Sequence, residues 1–176
     1  MSSSGRIMST AIKLFASNGY HATSMRDIAK KAKIAPSSIY SHYKSKEALL
    51  AEIISRMKEE ISNTFTIDQQ FSRKKNLELY AKLVISSVKE NRDFWRLIHS
   101  LRMNQDIVKI VKPELKKLQT LINENITTLL SNKSKKPEIT EVMLFWASID
   151  GIVAAYFLIE NYPLEPVINK LLTKFY

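Results

Sequence analysis

The 176-residue sequence contains no cysteine, three glycines and five prolines. Without cysteine the chain has neither a disulfide framework nor a thiolate metal site, which suits a reducing compartment. Scarce glycine and proline, with apolar residues at helical spacing along most of the chain, predict an all-α fold. The sequence also lacks an apolar run of membrane-spanning length and the apolar segment of a signal peptide. We therefore expect a soluble, cytoplasmic protein that contacts no membrane.

Negative charge is scarce in the first third of the chain. Residues 1–58 carry ten Lys and Arg against three Asp and Glu, whereas residues 59–176 carry 17 against 14. A basic segment followed by a nearly balanced one favours a polyanionic partner for that segment, although surplus lysine also serves solubility. Nucleic acid is the partner that this charge distribution favours.

Apolar periodicity, capping residues and turn residues divide the chain into about nine helices. Four are expected in the first third, and they begin near Ser4, Ser24, Pro36 and Ser45. Five more are expected over about residues 72–90, 93–103, 113–130 and 138–160, and after residue 163.

Residues 24–43 have the pattern of a helix-turn-helix. Ser24 and Asp27 have the spacing of a capping box, Lys33-Ile34-Ala35 interrupts the apolar periodicity, and Pro36 suits the first turn of a new helix. Two such helices, packed on a preceding helix, form the motif whose second helix enters the major groove of DNA. The alternative is that the serines are ordinary caps and the tyrosines are core residues.

The second helix of this motif combines small hydroxyl and aromatic side chains with flanking lysines. A serine hydroxyl donates to or accepts from any base edge, and its short side chain lets the helix approach closely. Cations and helix amino termini on either side would lie where phosphates run. The residues predicted to contact DNA are Thr23, Ser24, Pro36, Ser37, Ser38, Tyr40, Ser41, His42, Lys44 and Lys46.

The amino-terminal region resembles the tetracycline-repressor (TetR) family of bacterial transcription regulators over about residues 6–54. It departs from the family's pattern at Lys33, where a glycine is usual, and at Ala35-Pro36, where a hydroxyl or small residue often caps the helix. The rest of the chain is similar in helix pattern and length only. The resemblance rests on Ile7, Ala11, Leu14-Phe15, Gly19-Tyr20, Thr23, Asp27-Ile28-Ala29, Ala32, Ile39-Tyr40, His42-Tyr43, Lys46-Glu47 and Leu49.

This resemblance implies a ligand-responsive transcriptional repressor. Such a protein binds a palindromic operator as a homodimer and leaves it when a small molecule binds the carboxy-terminal domain. Residues 1–47 would then be the helix-turn-helix DNA-binding domain and residues 48–176 a helical ligand-binding and dimerisation domain, joined through the long helix that starts near residue 46. By position the resemblance implies phosphate contacts for Thr23 and Lys46, backbone or base contacts for Tyr40 and His42, and base contacts for Ser37 and Ser38.

The stretch 138–160 is apolar on nearly every side. One side of such a helix should meet its own core and another side a partner subunit, with small residues around Gly151 allowing close approach. The alternative is complete burial within its own subunit. The residues assigned to a dimer interface are Phe145, Ser148, Gly151, Ile152, Ala155, Ile168, Leu171, Leu172 and Phe175.

The helix predicted over residues 93–103 has a second stripe that mixes apolar and polar side chains. Such a stripe suits one wall of a cavity for a small, largely apolar ligand, and equally suits a packed helix contact. Asp150, the one charge in the apolar helix, needs a partner, which could be a basic side chain, a helix end or a cationic ligand. The residues assigned to the pocket are Tyr80, Trp95, His99, Met103, Leu118, Trp146, Ile149 and Asp150.

These observations bear on three possible functions. An enzyme is disfavoured, because the three histidines are scattered and neither an HExxH motif nor a glycine-rich phosphate loop is present. An architectural DNA binder without ligand control would show weak sequence preference and steep salt dependence. We interpret the chain as the ligand-responsive regulator. Its expected partners are double-stranded DNA, a second copy of itself and a small ligand, with no metal or other cofactor.

Overall fold

The computed structural model describes residues 2–64, 67–68, 70–102, 104–132 and 135–176. Within these ranges the chain forms ten α-helices and no β-strand, which confirms the predicted all-α class. The helices are α1 Ser3–Asn18, α2 Met25–Lys31, α3 Pro36–His42, α4 Lys46–Thr64, α5 Arg73–Glu90, α6 Arg92–Arg102, α7 Gln105–Ile110, α8 Lys112–Leu130, α9 Ile139–Leu158 and α10 Leu164–Leu172.

The helices group into two compact units that differ from the predicted domains. Unit 1 comprises residues 1–59 and 91–118, and unit 2 comprises residues 60–90 and 119–176. In unit 1, α1 packs against both α2 and α6, and α2 packs against α3. The helix-turn-helix therefore shares its core with α6 and α7, and a functional boundary after residue 47 stays a prediction.

Helix α1 shows how local sequence sets the bounds of a helix. The side chain of Ser2 accepts a hydrogen bond from the Gly5 amide at its start, and Gly19 ends it with φ 85°, where a side chain would be strained. Its buried stripe has helical spacing and consists of Ile7, Met8, Ala11 and Phe15.

Helix α7 is the element that periodicity did not predict. The Asn104 side chain accepts hydrogen bonds from the amides of Asp106 and Ile107, so a capping residue starts a separate six-residue helix. The sequence signal was an asparagine followed by an acidic first turn, which is typical of a helix start. A helix this short has too few residues to show a clear apolar period.

The core of unit 2 is formed by one stripe of α9 together with α5 and α10. The Phe145 ring lies 4.9 Å from that of Phe175 and 5.7 Å from that of Tyr80, measured between centroids. The buried side chains of the α9 stripe are Val142, Phe145, Ile149 and Val153.

Candidate nucleic-acid interface

Helix α2 begins with the predicted capping box. The Ser24 side chain accepts a hydrogen bond from the Asp27 amide, and the Asp27 carboxylate accepts from the Ser24 amide at 2.9 Å and from its hydroxyl at 2.6 Å. The hydrogen bonds from the side chain and backbone of Ser24 lower the pKa of Asp27. An ionised carboxylate therefore fixes the start of α2.

The turn between α2 and α3 is a Schellman motif built on a lysine. The Ile34 amide donates to the Ala29 carbonyl at 3.1 Å and the Lys33 amide to the Lys30 carbonyl at 3.2 Å. In this motif the first residue after the helix cap has a left-handed backbone, and here that residue is Lys33, with φ 56°. The sequence places lysine where glycine would be unstrained, so the turn forms without the family's usual residue at a local cost in free energy.

Helix α3 separates its residues cleanly between core and solvent. Pro36 stands in the first turn as predicted, and Ala35 provides no side-chain cap. Ile39 is fully buried, whereas Tyr40 keeps 50% of its surface exposed. The other exposed residues of the helix are Pro36, Ser37, Ser38, Ser41 and His42. This solvent face is the one that a major groove would meet.

An open groove lies beside the end of α3. Its volume is about 410 Å³, and two of its lining residues, Tyr43 and Ser4, have their hydroxyl oxygens 2.8 Å apart. Arg56 is paired with Glu52 at 3.1 Å within this groove, while Lys44 is exposed. The lining residues are Ser4, His42, Tyr43, Lys44, Ala48, Glu52 and Arg56.

Two residues predicted as phosphate contacts have their polar groups bonded within the protein. Thr23 is buried, and its hydroxyl donates to the Gly19 carbonyl at 2.9 Å and lies 3.3 Å from that of Leu14. The Lys46 ammonium donates to three main-chain carbonyls of the α1–α2 turn. Their side chains therefore differ from the exposed residues of α3, and the sequence alone gave no sign of that difference.

The residues assigned to a ligand pocket fall in both units. In unit 1, Trp95 and His99 are half-buried with ring centroids 6.5 Å apart, and Leu118 is buried. Unit 2 holds the half-buried Tyr80, Trp146 and Asp150 and the buried Ile149. Met103 lies outside the described residues. A cavity lined by this set stays a prediction.

The residues assigned to the dimer interface divide into two groups. Four are buried in the core of their own subunit and cannot form the surface of an interface, so the assignment is corrected for Phe145, Ile168, Leu172 and Phe175. The remainder are half-buried or exposed: Ser148, Gly151, Ile152, Ala155 and Leu171. Periodicity placed Phe145 on the wrong side because every side of α9 is apolar.

The exposed face of α9 contains residues that were not predicted. Met143, Leu144 and Leu158 are 59%, 62% and 84% exposed. They flank Ala147 and Gly151, and a Cβ placed on Gly151 would meet no atom within 4 Å. Helix α9 is long and apolar enough to span a bilayer by length and composition, a test that core helices of soluble proteins also pass.

Comparison with known proteins agrees with the geometry of the motif. The family profile described as "Bacterial regulatory proteins, tetR family" matches residues 7–53. The Fatty acid metabolism regulator protein of Bacillus subtilis is 27% identical over 95% of this chain and 90% of its own length. The Uncharacterized HTH-type transcriptional regulator YuxN of Bacillus subtilis is 27% identical over 91% of this chain, which spans only 56% of that relative.

The fold is also shared with a solved regulator. The crystal structure of the transcriptional regulator FadR from Bacillus subtilis in complex with stearoyl-CoA has a TM-score of 0.75 and 20% identity, covering 96% of this chain and 95% of that one. Its similarity covers nearly the whole chain rather than the amino-terminal motif alone. These matches support a transcriptional regulator of the TetR family of bacterial regulatory proteins rather than an enzyme, with the family profile itself matching residues 7–53.

Proposed function

We propose that this regulator is a repressor that binds a palindromic operator as a homodimer and is released by a long-chain acyl ligand. The observation that carries the proposal is the exposed polar face of α3 within a matched TetR motif. The same face lies in the basic third of the chain, where ten Lys and Arg stand against three Asp and Glu.

The exposed side chains of α3 support sequence-specific contact with a major groove. Ser37 and Ser38 lie in its first turn, and the half-exposed Tyr40 lies two residues further on. The hydroxyls suit base edges, and an aromatic ring suits a thymine methyl group or a phosphate. Lys44 and the cation of Lys33 stand at the two ends of α3, where they would meet the DNA backbone.

The second copy of this chain is the occupant that best fits the exposed face of α9. A stripe of Met143, Leu144 and Leu158 around Ala147 and Gly151 leaves three large apolar side chains more than half exposed on one face, as a surface that meets a protein partner does. Small residues at its centre allow two helices to approach closely about a twofold axis. The opposite stripe of α9 is already packed in unit 2, which favours a protein partner over a bilayer.

The ligand class is inferred from the relatives. One relative matched over 95% of this chain is a fatty acid metabolism regulator, and FadR binds stearoyl-CoA in its crystal structure. A ligand that prefers one arrangement of the two DNA-binding motifs lowers operator affinity by population shift. A coupling of about 1–3 kcal/mol gives roughly 5- to 150-fold release.

The test has two stages, both with the purified full chain. Selection from a random double-stranded pool at physiological salt should recover a palindrome whose half-sites are about one helical turn apart or a multiple of it. Stearoyl-CoA should then lower affinity for that sequence within the range above, while free CoA has no effect. Recovery of no motif would contradict specific binding and favour an architectural role. A palindrome insensitive to acyl-CoA would contradict the ligand class alone.

A further inference from the structure

We infer that Lys46 is a positioning residue for the DNA-reading helix α3. Its side chain links the α1–α2 turn to the start of α4, and it does not contact phosphate. The inference refines the proposed DNA-binding site. It rests on the bonds of three side chains around residues 19–23, the segment that links α1 to α2.

The ammonium group of the half-buried Lys46 side chain makes its hydrogen bonds within the protein. Its nitrogen lies 2.8 Å from the carbonyl oxygen of Tyr20, 2.9 Å from that of Thr23 and 3.4 Å from that of His21. An ammonium has three N–H donors, and three acceptors surround this one. The nitrogen also lies 4.4 Å from the centre of the Tyr20 ring. A phosphate would therefore compete with main-chain acceptors for these donors.

The rest of the segment is bonded in the same manner. The buried Thr23 hydroxyl donates to the carbonyl of Gly19 and lies within hydrogen-bond distance of that of Leu14. The Tyr20 hydroxyl donates to the Glu47 carboxylate at 3.2 Å. The carbonyl end of α1 carries partial negative charge, which favours the cation. Two adjacent residues at the start of α4 therefore bind the same turn: Lys46 through the turn's main-chain carbonyls and Glu47 through the Tyr20 hydroxyl.

The position of the α1–α2 turn determines the position of α3, the DNA-reading helix. Helix α2 starts at Met25, directly after the turn, and the Schellman motif joins α2 to α3. A shift of residues 20–23 relative to α4 therefore moves α2 and α3 together. Fixing such a turn contributes to DNA affinity by holding the reading side chains in the geometry that binds.

A second contact reaches the same turn from α7. The Asn104 amide nitrogen lies 3.2 Å from Nε2 of His21, while its oxygen accepts from the amides of Asp106 and Ile107. The oxygen is committed to the helix cap, so the nitrogen faces His21, whose Nε2 accepts the bond. The turn is therefore held by α4 on one side and by the cap of α7 on another.

Hydrogen exchange and the salt dependence of DNA binding separate positioning from phosphate contact. Lys46→Met should speed exchange of the Thr23 amide and lower affinity for the selected palindrome about tenfold or more. Its slope of log affinity against log salt, measured on a mixed-sequence duplex, should equal that of the wild type. A slope smaller by about 0.9 with unchanged exchange would overturn the inference, because that is the signature of one lost phosphate contact.

Lys44→Met is the matched control, since Lys44 is exposed and only two residues away. It should reduce the slope by about 0.9 and leave exchange of the turn unchanged. Lys46→Arg keeps the charge, but a planar guanidinium does not match three converging carbonyls. The Lys46→Arg variant should bind the palindrome more weakly with an unchanged salt slope, and this test holds even if the Met variant unfolds. A Lys46→Arg variant with wild-type affinity would overturn the inference. The exchange measurement uses no DNA, so its outcome is independent of the proposed operator.

Discussion

The ammonium of Lys46 lies 4.4 Å above the Tyr20 ring and donates to the carbonyl of the same tyrosine at 2.8 Å. Tyr20 in turn donates its hydroxyl to Glu47, the residue that follows Lys46. Burial, reinforced by the Glu47 carboxylate, raises the pKa of Tyr20 well above its usual range. The Tyr20 ring therefore stays neutral across the physiological range, and its contact with Lys46 joins α4 to the segment that leads into the helix-turn-helix.

Replacing Lys33 with glycine should stabilise the protein. The left-handed backbone at φ 56° costs a residue with a Cβ about 1–2 kcal/mol, and the greater freedom of glycine in the unfolded chain offsets about 0.5–1 kcal/mol of the relief. The free energy of unfolding, measured by urea denaturation at neutral pH, should rise by up to about 1.5 kcal/mol. Lys31→Gly, at the last residue of α2, should instead lower it, by up to about 1 kcal/mol. Equal losses in both variants would contradict strain at Lys33.

Acid should remove the contribution of Asp27 to stability. The folded-state pKa of Asp27 lies below its ordinary value of 3.8, so its contribution is present above 3.8 and is lost as pH falls through the lower, folded value. Wild type should therefore be more stable than Asp27→Asn at neutral pH, and the difference should shrink on acidification below 3.8. Unfolding midpoints across that range measure it.

Ser24→Ala is the control for this titration. It removes the hydroxyl that contributes most to lowering the pKa of Asp27. In that background the pH dependence of the Asp27→Asn difference should be weaker. A wild-type advantage that is constant with pH, or that grows on acidification, would exclude the capping carboxylate as its source.

Tyr40→Ala should impair DNA binding without affecting the fold. Half of this side chain is exposed, so its loss should change the free energy of unfolding by no more than about 0.5 kcal/mol. Operator affinity, measured at constant salt, should fall by about 1–3 kcal/mol. The neighbouring Ile39→Ala should instead cost about 2–5 kcal/mol of stability, because Ile39 is fully buried. Unchanged affinity of Tyr40→Ala would remove this residue from the interface.

Gly151→Ala should have opposite effects on the subunit and on the dimer. Alanine favours the helix by about 1 kcal/mol, and its Cβ meets no atom of its own chain within 4 Å. Across a close helix contact the same methyl group should cost about 1–3 kcal/mol of association. Sedimentation velocity over a concentration series would measure dissociation, and Leu158→Ala should weaken the dimer as well. Unchanged dissociation in both variants would place the interface elsewhere.

The sequence predicted the long helices well and the shortest one not at all. Capping residues and apolar stripes located α1 to α4 within one or two residues, because these signals are local. Helix α7, with six residues, was not predicted because its length is less than two full turns. For the candidate site, the exposed residues of α3 followed directly from the buried position of Ile39 and helical periodicity.

The faces of α9 could not be assigned from sequence. Its residues are apolar on nearly all sides, so periodicity carries little information about which stripe meets the core. Packing with α5 and α10 buried Phe145 and left Leu144 in solvent, although the two are neighbours with similar hydrophobicity. The corrected assignment of Phe145 traces to this ambiguity, whereas the other three corrected residues, Ile168, Leu172 and Phe175, lie on α10 or directly after it.

The sequence by itself determined the helical class, the helix-turn-helix and the basic character of its surroundings, because helix periodicity, caps and charge depend on residues close together in the chain. Tertiary structure alone decided which polar groups are still available to a ligand. Lys46 and Thr23 have the chemistry of phosphate contacts, yet Lys46 donates to carbonyls 23 to 26 residues away. A hydrogen bond depends on distance in space, and only the packing of α4 against the α1–α2 turn brings these atoms together.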